Sequence, residues 1–370
     1  MEFIALNILL TCKRHYTNKD LISDRFGRLF HFPKVWSEKG NQVTVLAADY
    51  LSFRNRTYQI EGITFYSLGF PSFGVDFLHR INAIAHAGKY DLVIGSCDSH
   101  FGYIALKLAK KLGIPYAFDL YHHYADFGTN RIPGMKSMYY RSLSNADLVV
   151  CDSKPLEGKI RSYNNHTHIA PQGTDPSVFK PLPREQCIKE LRLDPARKYI
   201  GYTGTLDSRF DYDCLIQAME TITGNDSSIC LLIAGTKLSG YNLNREFIHY
   251  LGELPQERIP VVINACRVMC IPYKLTDLAS TCNPCKLSEY IACGLPIVAS
   301  AISNVTDYLP ASRELCYTPG DAASLAESLL RQIAAPVTET LNQELTWETI
   351  GSAYLDELYK LHKGNLRTRS

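Results

Sequence analysis

Short β-branched runs alternate with longer segments of helical period along nearly the whole chain, and this limits the fold more than any other feature of the sequence. A strand that hands over to a helix before the next strand is joined to it by a crossover. Such crossovers make the sheet parallel and place helices on both of its faces. In the first half the spacing predicts strands at Phe3–Thr11, Gln42–Ala47, Leu92–Gly95, Tyr116–Leu120, Leu148–Cys151 and His168–Ala170. Helices are expected at Arg25–Glu38, Phe101–Leu112 and Lys136–Ser144, the second stopped by Gly113 and Pro115. From Pro171 to Arg197 the pattern lapses into a stretch rich in proline and polar residues, which suits a linker.

A second set of strands follows at Tyr199–Thr203, Ile229–Ala234, Arg267–Ile271, Pro296–Ser300 and Glu314–Tyr317. Its helices are expected near Asp213–Thr223, Arg258–Ala265, Cys285–Cys293 and Ala322–Ile333. A chain of 370 residues exceeds one ordinary core, so two domains are the natural division. The last amphipathic stretch, Thr346–His362, comes after the second sheet is complete and has no strand left to cover there. It is expected to return to the first domain. The fold predicted is α/β, with two doubly wound, Rossmann-like parallel-sheet domains: residues 1–183 with helix 346–364, and residues 184–345.

Composition narrows the function. A formal charge of +2 and the lack of any block of like charges offer no field for nucleic acid. The twelve cysteines are scattered, several within apolar strands (Cys230, Cys270), and form no paired CxxC clusters of zinc spacing, so they read as reduced core residues. The opening apolar run lacks a basic n-region and is followed at once by Lys13 and Arg14, which makes it a first strand rather than a signal. No stretch has the length a spanning helix needs. A cytoplasmic location is expected, with the sequons at Asn55, Asn165, Asn225 and Asn304 as chance matches.

The most informative run is Asn283-Pro-Cys-Lys-Leu-Ser-Glu-Tyr-Ile-Ala-Cys-Gly-Leu-Pro-Ile-Val-Ala-Ser300. Asn283 is a good N-cap, Pro284 suits the first helical position, and Gly294 with Pro296 ends the helix. The helix starts beyond the strand ending near Pro272, at the carboxyl edge of a parallel sheet, where a diphosphate fits the positive end of the dipole. Lys286 adds a cation in the first turn, and Glu289 lies one turn on, able to accept from a ribose diol. The alternative is that both are the solvated face of a surface helix.

This run, NPxKLxEYxAxGxPxVAS, resembles the donor-site helix of the retaining GT-B glycosyltransferases of family 4. Gly201–Glu220 is similar to the first strand-loop-helix of that family's C-terminal domain, and Ala170–Pro181 to its interdomain segment. Tyr90–Leu120 with Ala146–Leu156 resembles its later N-terminal-domain strands, and the terminal helix its crossing-back helix. The resemblance implies a nucleotide-sugar donor, no resident cofactor and no metal. Gly204, Thr205, Asn283, Cys285, Lys286, Leu287 and Glu289 are then the donor-binding residues.

The chain also departs from the family. Thr281 stands where relatives carry a second Glu, and is assigned nothing. Gly204 is followed by Thr205 rather than by the Arg of many relatives, which leaves Arg209 as the candidate for stabilising the leaving diphosphate. The alternative for Arg209 is a surface ion pair with Asp207 or Asp211. Only Gly27 remains of the usual N-terminal double glycine.

Asp211-Tyr-Asp213 forms a DxD triplet, which binds a divalent ion in a different transferase fold but here reads as the first turn of a helix. In similar enzymes the loop beginning Tyr121-His122-His123 offers a His to the donor sugar, so His122 and His123 join Arg209 as catalytic candidates, with Asp126 as a neighbour. Packing and metal binding are the alternatives there. Arg131–Arg141 mixes cations with Met and Tyr, as a segment resting on an anionic membrane does, or as an ordinary helix with one face in the core does. The leading expectation is a glycosyltransferase for a UDP- or GDP-sugar and a glycan or lipid-linked acceptor, in cell-surface or exopolysaccharide assembly. A silent GT-B partner subunit and a nucleotide-sugar epimerase are the other two.

Overall fold

A computed structural model describes residues 5–16, 19–69, 75–238, 240–309, 315–339 and 343–369. The chain divides into two compact units, Met1–Gln172 with Trp347–Ser370, and Gly173–Thr346. The division falls before the Pro183 expected from sequence. Phe179 is already part of the second core, Leu182 N–H donates to Asn264 Oδ1 at 2.9 Å, and Asn264 Nδ2 donates to the Lys180 carbonyl at 3.0 Å.

The first unit holds strands β1 (Asn7–Lys13), β2 (His15–Tyr16), β3 (Lys19–Asp20), β4 (Gln42–Asp49), β5 (Arg56–Ile60), β6 (Ile63–Gly69), β7 (Leu92–Ser96), β8 (Tyr116–Leu120), β9 (Leu148–Cys151) and β10 (Thr167–Ile169). Its main sheet runs β10-β9-β8-β7-β1-β4-β6-β5 and is parallel except for β5. Helices α1 (Arg28–Glu38), α2 (Val75–Ala87), α3 (Ser99–Leu112), α4 (Met135–Ser144) and α5 (Lys154–Ile160) cover it. The β5–β6 hairpin was not expected, because β5 is a largely exposed edge strand without a buried face to pattern it. Its turn uses Glu61 and Gly62, both with positive φ (50° and 74°), as two-residue hairpin turns favour.

The second unit opens with α6 (Arg184–Glu190), which corrects the reading of that stretch as a bare linker. Cys187 and Ile188 on α6 are buried in the second core. Strands β11 (Lys198–Thr203), β12 (Ile229–Ala234), β13 (Ile248–Tyr250), β14 (Val268–Ile271), β15 (Ile297–Ser300) and β16 (Cys316–Tyr317) form a parallel sheet in the order β13-β12-β11-β14-β15-β16. The expected starts of two strands, at Phe3 and Glu314, lie outside the described residues. Helices α7 (Tyr212–Asn225), α8 (Ile259–Ala265), α9 (Asp277–Thr281), α10 (Cys285–Ala292), α11 (Ser303–Thr306) and α12 (Ala322–Ala334) complete the unit. Two apolar clusters, one on each face of the sheet, make its core.

The last helix, α13 (Trp347–Arg369), packs on α1 of the first unit. Trp36 Nε1 donates to the Gly351 carbonyl at 3.0 Å, its ring meets Tyr354 edge-on at 5.1 Å, and Trp347 stacks on His31 at 4.9 Å. Tyr354, Leu355 and Leu358 are buried there, so removal of an amphipathic face from water holds the helix in place.

Candidate active site

In a doubly wound sheet, ligands bind outside the carboxyl ends of the strands where the chain reverses its direction of travel across the sheet. In the second unit that point lies between β11 and β14, since the chain moves outward through β12 and β13 and then returns to the other flank of β11. The segment after β11 crosses to the segment after β14. Asp211 N–H donates to the Pro272 carbonyl and Lys274 N–H to the Arg209 carbonyl, both at 2.8 Å.

Gly204 leaves β11 with φ 131°, a conformation that side chains rarely tolerate. A Cβ there would lie 3.1 Å from both Cε and Nζ of Lys286. Gly235, at the end of β12, has φ 143° and touches Gly204 so closely that a Cβ would fall 2.0 Å from the Gly204 carbonyl oxygen. Gly204 therefore leaves room for the Lys286 arm, and Gly235 leaves room for the Gly204 carbonyl.

Lys286 projects from the first turn of α10 into a cage of two buried tyrosines. Its ammonium is 2.5 Å from the Tyr273 hydroxyl and 3.5 Å from that of Tyr202, and within 5 Å of both ring centroids (4.8 and 4.9 Å). Burial works to lower its pKa, but Tyr202 and Tyr273 outweigh that and raise it, so the charge persists. Tyr290 docks α10 onto β11, its hydroxyl 2.9 Å from Thr203 N and 3.0 Å from Thr203 Oγ1.

Arg209 lies over the Tyr273 ring at 5.6 Å. It forms a forked pair with Asp207, Nη2 to Oδ2 at 2.6 Å and Nε to Oδ1 at 3.1 Å, and reaches Cys282 Sγ at 3.6 Å. Of the two readings of Arg209, the ion pair with Asp207 is therefore formed. Asp211 instead caps α7, accepting from Cys214 N–H at 3.5 Å. Asp207 thus pairs with Arg209, whereas no carboxylate lies within ion-pair distance of Lys286 among the described residues.

Pro284 occupies the N-cap of α10, with no side-chain cap bond, which corrects the assignment of that position to Asn283. Asn283 is buried just before it and Cys285 is half-buried. Leu287 lies in the core with its N–H committed to the Pro284 carbonyl at 3.0 Å. Gly204 and Thr205 are half-buried, and Tyr202 donates to the Thr205 carbonyl at 3.0 Å. Glu289 is half-buried, and desolvation pushes its carboxyl up to about 7 against the opposing charge of Lys286. Thr281 is buried at the end of α9, where its hydroxyl donates to the Asp277 carbonyl at 2.8 Å.

His122 and His123 belong to the first unit, beyond β8. The His122 ring lies among Tyr121 (5.1 Å) and Phe127 (5.4 Å), and His123 meets Tyr139 edge-on at 6.0 Å. Both are half-buried, and the Asp126 side chain lies outside the described residues. In the same strand Asp119 forms a buried pair with Arg28 of α1, Nη2 to Oδ1 at 2.5 Å, while Ser96 Oγ donates to Asp119 Oδ2 at 2.8 Å.

Sequence reasoning overlooked Tyr202, Tyr273 and Gly235. The available signal was positional, since each closes or follows a strand on one side of the switch point.

A protein of two doubly wound domains, one with a caged cation and paired glycines at its switch point, is of the nucleotide-handling class. The comparisons with known proteins are more definite. Residues 197–335 match the model of "Glycosyl transferases group 1" and residues 30–178 that of "Glycosyltransferase Family 4". The chain belongs to this family of glycosyltransferases and has the GT-B fold. D-inositol 3-phosphate glycosyltransferase of Segniliparus rotundus is 24% identical over 179 residues, 44% of this chain, and the matched part spans 39% of the length of that relative. Sucrose-phosphate synthase of Thermosynechococcus elongatus superposes with a TM-score of 0.72 at 16% identity, over 99% of this chain and 100% of the other. Anabaena HepE in complex with UDP and glucose gives 0.68 at 14%, over 98% and 99%.

No helix among the described residues is long and apolar enough to cross a membrane.

Proposed function

We propose that the protein transfers a glycosyl group from a UDP- or GDP-linked sugar to a hydroxyl of a glycan or lipid-linked acceptor in cell-surface or exopolysaccharide assembly, with retention and without a metal ion. The observation that carries this reading is Lys286, a cation held protonated by Tyr202 and Tyr273 at the start of α10, on the switch point of the second sheet. Departure of a nucleoside diphosphate builds negative charge on its β-phosphate, and a fixed cation at that point stabilises the transition state. Arg209 adds charge if the diphosphate draws it from Asp207. Glu289 accepts from the ribose diol, and the departing phosphate takes the acceptor's proton.

Thermal denaturation with UDP, GDP or ADP in the presence of EDTA tests this. Stabilisation of about 2.7 kcal/mol is expected at a hundredfold excess over Kd, and its loss in Lys286→Ala. No stabilisation by any of the three overturns the reading. Slow donor hydrolysis that Glu289→Ala abolishes separates an enzyme from a silent partner subunit, and a product formed without acceptor identifies an epimerase.

Peripheral contact with an anionic membrane at the cytoplasmic face is part of the proposal. Met135 and Tyr139 are buried, so the contacting groups on Arg131–Arg141 are Arg131, Ile132, Lys136 and Arg141, all exposed. Co-sedimentation with anionic vesicles that salt abolishes is the expected result, and its absence at low salt removes this part.

A further inference from the structure

The first sheet has a switch point of its own, between β1 and β7, because the chain moves outward through β4 and β6 before it returns to the other flank of β1. Lys13 closes β1, Asp98 follows β7, His100 lies in the first turn of α3 and Tyr50 follows β4. The Tyr50 hydroxyl is 2.7 Å from His100 Nε2. Between β7 and α3, Cys97 holds φ 76° and its sulfur accepts from the Tyr121 hydroxyl at 3.2 Å. A non-glycine residue in the left-handed region persists only where its surroundings enforce it, and such residues gather at ligand sites.

The lysine and the arginine at the end of β1 are each already paired with a carboxylate. Lys13 faces Asp98 at 3.4 Å, Arg14 binds Asp20 at 2.6 Å and Asp49 at 3.0 Å, and His15 lies 3.4 Å from Asp49. Thr17 and Asn18, next in sequence, carry no charge. His100 is 8% exposed, and burial holds its pKa down to about 4 against the pull of Asp98, so its ring is neutral near pH 7. The most exposed of these groups is Tyr50, at 39%, an apolar ring face with a hydroxyl at its tip.

We propose that this crevice binds the acceptor as a neutral polyol and discriminates against a phosphorylated one, a reading that rests on the transferase function proposed above. A phosphate dianion placed here must break the pair of Lys13 or of Arg14 and stand beside the carboxylate left behind. A sugar hydroxyl needs only the exchangeable donor and acceptor of Tyr50 and His100, with its C–H face on the tyrosine ring.

Histidine-labelled full-length protein, titrated with myo-inositol and inositol 1-phosphate and with glucose and glucose 6-phosphate, tests this by NMR. His100→Phe assigns the resonance. At least one neutral member is expected to shift it with a Kd about 10-fold below that of its phosphorylated twin. The proposal is overturned if the phosphorylated twin binds as tightly, or if no member of either pair moves His100. Stabilisation by UDP or GDP is read in the same samples. A protein that takes neither nucleotide but shifts His100 keeps the polyol crevice and loses the transferase reading. Asp98→Asn releases Lys13 and should move the preference toward the phosphorylated twin by about 10-fold. An unchanged preference in a variant folded by circular dichroism removes the charge argument and with it the proposal.

Discussion

The ammonium of Lys286 and the hydroxyl of Tyr273 stand 2.5 Å apart, one from the first turn of α10 and the other from the segment after β14. Lys286 thus reaches back beneath Gly204 instead of extending into solvent, as a lysine at a helix start otherwise does.

Replacing Lys286 by Met keeps much of the buried arm and removes the charge. Charge-assisted hydrogen bonds contribute about 1.5–3 kcal/mol, so nucleoside diphosphate affinity should fall by about 10- to 100-fold in calorimetric titration. Affinity within twofold of the parent would take Lys286 out of the donor site.

Gly204→Ala meets both a φ of 131° and the Lys286 ammonium 3.1 Å away. Gly235→Ala drives a methyl group into the Gly204 carbonyl. Each should lose about 1–3 kcal/mol in urea denaturation, Gly235→Ala the more, and each should weaken nucleotide binding because the lysine is displaced.

Glu289 should make stability depend on pH. Its folded pKa is raised from 4.5 to about 7 by desolvation, so the folded state holds the proton more tightly than the unfolded chain. That stabilisation is complete below about pH 4.5 and is lost as pH rises through 7. Glu289→Gln should flatten this part of the profile and exceed the parent by about 3 kcal/mol at pH 8. Parallel profiles for the two proteins between pH 4.5 and 8 would refute the assignment.

Arg28 and Asp119 are both buried, with the Arg28 Nη1 also donating to the Ala170 carbonyl at 3.0 Å. Arg28→Met leaves a carboxylate in the core with Ser96 alone and should cost about 3–5 kcal/mol. The double variant Arg28→Met/Asp119→Leu should recover most of that loss, as chemical denaturation can measure.

Trp36→Ala removes the bond to Gly351 and the contact with Tyr354, at a cost of about 3–5 kcal/mol. Limited proteolysis should then cut within α13 well before the rest of the chain.

The legibility of this protein follows the range of the forces involved. Tyr116–Leu120, Leu148–Cys151 and Ile229–Ala234 are strands with the bounds their apolar runs predict, because a fully buried strand carries its signal in its own residues. The β5 edge strand and α6 lacked that signal, since one is mostly exposed and the other buries only part of a turn. Gly204 and Lys286 were legible as candidates, whereas their contact was not. Asn283 was misplaced as a cap because the preference for Asn at that position is weaker than the local path of the chain through Pro284.

By itself the sequence determined two parallel sheets, the helices between them and the short helix that starts near Lys286, since hydrophobic periodicity and chain breakers act over a few residues. Only the tertiary structure decided that Arg209 is held by Asp207, that Lys286 is caged by Tyr202 and Tyr273, and that Lys13 and Arg14 at the end of β1 each meet a carboxylate. The contacts of Lys286 with Tyr202 and of Lys13 with Asp98 join strand ends more than eighty residues apart, and strand order across the sheet, which no local pattern records, is what brings them within a few ångströms; the pair of Arg209 with Asp207 is local, and the loop after β11 sets it.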